Sequence, residues 1–206
     1  FWIDISIFDG QSIFLIIINY LLLLLTYLLI RQFLHEQIPL VENSLLRKTL
    51  SLVIFILIFS WLQRENLIWG FQSQFILAQF LPLLAFFLIH KSHIEYSRSN
   101  CFFITACIVG VLAVGTMANG ILTLPLMSFL AILLGFNIWR IVLLVSISLA
   151  SIFLYFYNYT SPEGHGSITN EILENLIGVI EYFLVYIGKP FYYFFAGLLG
   201  SEKSLV

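Results

Sequence analysis

The stretch Ser12–Ile30, SIFLIIINYLLLLLTYLLI, decides the fold of this chain. It carries no charged residue over a length close to the roughly 20 helical residues that cross a hydrocarbon core of about 30 Å. It lacks the period-two alternation of a barrel strand, and only helices or closed barrels can cross a bilayer. The rest of the chain repeats the pattern. Of 206 residues, 61% are hydrophobic and 10% charged, and mean hydropathy is +1.02. Soluble domains carry about 25% charged residues, and a chain of this size cannot hide so much apolar surface in one aqueous core. The expected fold class is all-α, a polytopic transmembrane helix bundle.

Further apolar runs lie at 49–62, 67–89, 101–118, 121–136, 141–157 and 172–188. With 12–30 they predict about seven spans. After the Lys189-Pro190 break, the aromatic segment 191–200 reads as partial or re-entrant. No internal repeat or linker divides residues 1–206, so a single transmembrane domain is expected. The chain opens on Phe1 without a charged leader region, and a fragment of a larger membrane protein is expected.

Lys and Arg set the orientation. Segments 31–48, 90–100 and 137–140 hold Arg31, Arg47, Lys48, Lys91, Arg98 and Arg140, whereas the alternate segments hold only Arg64. The first group is expected to be cytoplasmic and the N-terminal segment extracytoplasmic, in a bacterial inner membrane. Asp4, Asp9, Glu65, Glu163 and Glu171 then lie outside. The net charge of −2 and the absence of a basic stripe exclude a nucleic-acid partner. Membrane lipid is the expected partner. Cys101 and Cys107 are spaced six apart, which fits no metal motif, and read as small buried thiols.

Chemistry concentrates on the side expected to be outside. The cluster Gln63-Arg64-Glu65-Asn66 is followed by Trp69, Gln72 and Gln79; if helical, Glu65, Trp69, Gln72 and Gln79 share one face. Arg64, Glu65, Asn66, Trp69 and Gln72 are candidate substrate-binding residues, against the plainer reading of an interfacial corner with a Trp anchor. Gln72 and Gln79 need partners inside the bundle. Asn119-Gly120 signals a tight turn between two antiparallel helices, with Asn119 a candidate cavity residue. His165, between Gly164 and Gly166, lies in the polar loop 158–170 and is a further binding candidate or a solvated loop residue. Asp4 and Asp9 are candidate catalytic acids, or solvated interfacial ones. No metal-ligating set is visible.

Two motifs carry a resemblance. Glu65 to Phe75, ENLIWGFQSQF, resembles the ENLLWGFQxQF segment of a group of bacterial polytopic membrane proteins, and Met117 to Pro125, MANGILTLP, is similar to their SMANGLLxxP turn. The layout of that group is similar to GT-C glycosyltransferases. The resemblance implies a polyprenyl-phosphate-linked sugar donor at the outer face, with a catalytic acid in the first outer loop. Carboxylates at Asp4 and Asp9 also suit a divalent cation, although the sequence itself shows none. Here that loop is represented only by residues 1–10, and Asp4 and Asp9 form no Asp-x-Asp pair. In this reading Arg64 steadies the phosphate, while Trp69, Gln72, Asn119 and the His165 loop close the cavity. The alternatives are a transporter or lipid flippase built on helices broken at Pro82, Pro125 and Pro190, and a non-catalytic assembly subunit.

Overall fold

The computed structural model describes residues 2–37, 44–60, 67–157, 175–178, 180–185 and 188. All regular structure among them is helical. The chain divides into two compact units, 1–157 and 158–206. In the first, a short helix α1 (Trp2–Phe8) leads into α2 (Ile13–Gln37), α3 (Ser44–Ile58), α4 (Ser73–Ile94), α5 (Ser99–Val114), α6 (Thr123–Leu133) and α7 (Ile138–Phe156). In the second, Leu176–Val185 is a shorter apolar helix, and Asn175 Oδ1 accepts from Gly178 N at 3.1 Å as its N-cap.

Four helices are long and apolar enough to cross a membrane: Ile13–Glu36, Ser73–Ile94, Tyr96–Val114 and Ile138–Phe156. The other expected spans in the first unit are shorter as helices. The 15 residues of α3 rise roughly 22 Å at 1.5 Å each, less than a hydrocarbon core. Gly135 stops α6 early: it sits at φ +70°, with Gly135 N bonded to Ile132 O and Phe136 N to Ala131 O, both at 3.0 Å. That is a Schellman stop. Asn137 then caps α7 by accepting from Trp139 N at 3.2 Å. Residues 61–62, 172–174, 179, 186–187 and 191–200 of the expected runs lie outside the described residues.

The core sits among α4, α5, α6 and α7: Ala85 and Ile89, Phe103, Ala106 and Val109, Leu124, Met127 and Ala131, then Leu144. Small residues let these backbones approach, as lipid-embedded packing requires. A Cβ on Gly110 would lie 2.8 Å from Leu124 Cδ2 and 2.9 Å from Met127 Sδ. Ser92 and Ser99 lock the α4–α5 hairpin reciprocally, Ser92 Oγ donating to Ser99 O at 2.9 Å and Ser99 Oγ to Ser92 O at 2.6 Å. Outward faces remain apolar. In the most apolar stretch of α2 only 11% of residues are buried, and Ile17, Leu21, Leu24 and Leu28 are exposed. Of the two thiols, Cys107 is buried as expected, but Cys101 is exposed.

The antiparallel helices gather like groups at each end. Lys91 pairs with Glu36 at 2.7 Å and Glu95 at 3.1 Å. Phe33 stacks on His90 at 5.3 Å. Arg140 donates to Ser99 Oγ at 2.9 Å and Asn100 Oδ1 at 2.6 Å, and lies 5.2 Å from the Phe103 ring. Arg31, Arg47, Lys48, Lys91, Arg98 and Arg140 therefore occupy one end. The α1–α2 corner, residues 67–72 and the α5–α6 corner occupy the other.

At the α5–α6 corner, the Asn119-Gly120 turn takes a 3-10 form, Ala118–Leu122. Gly120 is needed there for space. A Cβ would lie 2.0 Å from Ala113 O, a carbonyl that already accepts from Thr116 N at 3.1 Å and Thr116 Oγ at 2.7 Å. Gly120→Ala is expected to destabilise the protein by about 1–3 kcal/mol or more. Gly115→Ala, whose Cβ would come only within 3.5 Å of Leu112 O, should cost far less. Thermal unfolding midpoints in detergent check the ranking.

Candidate functional site

The end opposite the cations is built around the start of α2. Asp4 is 2% exposed. Its Oδ2 accepts from Ser12 N at 2.7 Å and its Oδ1 from Phe14 N at 3.0 Å. Those amides open α2 and have no carbonyl partner within the helix, so the carboxylate caps the helix and meets the positive end of its dipole. The reversal between α1 and α2 needs three residues with left-handed backbone, Asp9 (φ 50°), Gly10 (φ 73°) and Ser12 (φ 60°). Gly10 N bonds to Asp4 O at 3.1 Å and Gln11 N to Phe8 O at 3.0 Å. Asp9 stands exposed on this corner. Asp tolerates that backbone better than most side chains, whereas Ser12 is strained.

Residues 67–72 pack against the same corner. A Cβ on Gly70 would lie 3.0 Å from Ser12 Cβ and 2.9 Å from Leu15 Cβ, so the glycine lets this backbone rest directly on α2. Asn19, fully buried, holds it there: Nδ2 donates to Trp69 O at 3.2 Å and to Leu67 O at 3.5 Å. Trp69 O also accepts from Gln72 N at 2.9 Å, and Ser73 Oγ donates to Gly70 O at 2.7 Å.

This geometry corrects the continuous helix expected over 67–89. Trp69 is extended (φ −93°, ψ 108°), Gly70–Gln72 is a 3-10 turn, and α4 starts only at Ser73. The single face expected for Glu65, Trp69, Gln72 and Gln79 is interrupted because the backbone bends to meet Asn19. Trp69 projects outward, 65% exposed. Gln72 is half-buried at the turn, and Gln79 is exposed, beside a small cavity of about 110 Å³ shared with Thr26 and Phe75. The interhelical hydrogen bonds expected of the two glutamines do not form among the described residues.

Asn119 is exposed on its 3-10 turn. It shares this end of the bundle with Trp69 and Gln72, but no hydrogen bond joins it to either among the described residues. A groove of about 500 Å³ beside it is lined by Thr116, Met117, Ser151 and Tyr155. Arg64, Glu65, Asn66 and His165 lie outside the described residues. Among the described residues, no group of three His, Cys, Asp or Glu side chains converges.

The corner thus carries an exposed carboxylate, Asp9, on a left-handed turn, and the Gly70 backbone, next to the outward-projecting Trp69, packs on Ser12 and Leu15. Asn19 was not among the expected site residues. Its signal was present as the lone amide inside the most apolar run, since a polar side chain in hydrocarbon demands a partner. Compared with protein-family models, curated proteins and solved structures, the chain shows no significant match.

The two aspartates should separate by stability. Asp4→Ala is expected to cost about 1.5–3 kcal/mol, the worth of hydrogen bonds to a charged group. Asp9→Asn, exposed and tolerant of the same backbone, should stay within about 0.5 kcal/mol of the starting protein. Unfolding of the detergent-solubilised variants measures both.

Proposed function

We propose that the protein is a GT-C-like membrane glycosyltransferase, or part of one, that takes a polyprenyl-phosphate-linked sugar at the extracytoplasmic face of a bacterial inner membrane. One observation supports this reading above others: the Asp9 corner and the Trp69–Gln72 shelf pack together from distant parts of the sequence, with Gly70 seated on Ser12 and Leu15. They do so at the end away from Arg31, Arg47, Lys48, Lys91, Arg98 and Arg140. In this reading the chain crosses the bilayer about seven times, with 31–48, 90–100 and 137–140 in the cytoplasm and the α1–α2 corner outside.

Asp9 is the carboxylate that acts as general base in the chemistry. Asp4 is committed to capping α2 through both carboxylate oxygens and serves as a positioning residue. The acceptor hydroxyl oxygen attacks the anomeric carbon and its proton passes to Asp9. The bond from that carbon to the phosphate oxygen breaks, and the polyprenyl phosphate leaves with the electron pair. Arg64 stabilises the leaving phosphate. The Trp69 indole, exposed beside the corner, offers an apolar face to the sugar, and the prenyl chain lies along the lipid-facing flank of α2.

A transporter or flippase is the second reading, favoured by the helix interruption at Trp69–Gln72, since transporter sites form at broken helices. Reconstitution into liposomes with a labelled polyprenyl-phosphate sugar and a hydroxyl acceptor separates the two. Sugar transfer that falls about 10²–10⁴-fold in Asp9→Asn, with an unchanged unfolding midpoint, supports the glycosyltransferase. Full transfer in Asp9→Asn removes Asp9 from the mechanism. Movement of intact donor across the bilayer without release of its phosphate supports the flippase instead.

A further inference from the structure

At the basic end, α2 and α3 enclose a cleft of about 580 Å³. Arg31 and His35 border it from α2, and Arg47 and Lys48 from the start of α3. One turn further along each helix, Tyr27 Oη and Ser51 Oγ lie 2.9 Å apart and close the cleft. Leu52 and Phe55, both exposed, carry its wall out to the lipid-facing surface.

Arg47 gives this cleft its meaning. It is 8% exposed, and its Nη1 has no hydrogen-bond partner. A guanidinium kept from water without a counter-charge is unfavourable unless a ligand supplies one. Among the described residues, no acid lines the cleft. The carboxylates of Glu36 and Glu95 at this end both engage Lys91. The start of α3 compounds the deficit: its first turn contains no acid, although the positive end of the helix dipole favours one. The amides of a helix start and a planar guanidinium form together a donor set that binds phosphate oxygens.

We propose that the α2–α3 cleft binds the phosphate group of an anionic amphiphile, with Arg47 as the buried donor, Lys48 and Arg31 completing the charge, and Leu52 and Phe55 taking the start of the acyl chain. An inorganic phosphate offers the same oxyanion, but it would leave the apolar wall unused. The site is independent of the glycosyltransferase reading, because it lies at the opposite end of α2 and requires no reaction.

Equilibrium binding to the purified full chain in detergent tests it, with short-chain phosphatidic acid, the phosphatidylcholine of the same chain length and inorganic phosphate as probes. The expected result is saturable binding of phosphatidic acid in preference to phosphatidylcholine, weakened about ten-fold or more by Arg47→Gln and by Lys48→Glu. Lys48 is exposed, so Lys48→Glu should keep the unfolding midpoint and decides the matter if Arg47→Gln fails to fold. Inorganic phosphate that binds as tightly as the lipid, and is lost in Lys48→Glu, supports the phosphate site and overturns the lipid as its source. Equal binding of both lipids, or affinities unchanged by either substitution, overturns the proposal.

Discussion

In hydrocarbon there is no water to satisfy a polar atom, and every backbone or side-chain group must find its partner within the protein. Much of this structure follows from that constraint. Hydroxyls on the apolar helices turn back on their own backbone: Thr26 Oγ1 to Leu22 O at 2.8 Å, Thr105 Oγ1 to Cys101 O at 2.9 Å, Ser128 Oγ to Leu124 O at 2.9 Å. An amide is too demanding for that local solution. Asn19 instead reaches the carbonyls of Leu67 and Trp69, which fixes the break in the helix at Trp69 against α2 where it would otherwise expose unpaired backbone.

The same constraint shapes the helix ends. Asp4 satisfies amides that α2 cannot, and a reciprocal pair of serines does similar work where α4 meets α5. Between such polar ties, the Tyr27–Ser51 and Glu36–Lys91 contacts among them, the helices are held by close packing, since lipid tails are as apolar as leucine and give no net drive toward association. Gly70, Gly110 and Gly120 each sit where a methyl group would strike a neighbour. They show how near the backbones come when dispersion must replace the hydrophobic effect.

The two ends of the bundle answer the constraint differently. At one end a carboxylate is spent on the fold and a second is left exposed. At the other, Lys91 draws in both neighbouring acids and Arg140 is shared between two polar side chains and two rings. Arg47, buried among other cations, is left without such an arrangement. An oxyanion from outside the chain supplies what the fold does not.

Hydrophobicity is a property each run carries with it, so the all-helical class, the membrane as solvent and the gathering of the described cations at one end were legible from residues 12–30 and the runs that follow. The lone Asn19 and the Gly135-Phe136-Asn137 stop were legible in principle as well, because a buried amide and a C-terminal glycine have few alternatives. What only the tertiary structure decided was which polar atom meets which. Asp4 and Asp9 look alike in sequence, yet one caps α2 and the other faces outward because the corner between them doubles back. Trp69 turns extended and residues 70–72 tighten into a 3-10 turn where Asn19, far away in the chain, bonds the Leu67 and Trp69 carbonyls. Gly120 reads as a turn residue but serves as a spacer against Ala113 O. Partner choice depends on which helices come to lie side by side, and no single apolar run contains that information.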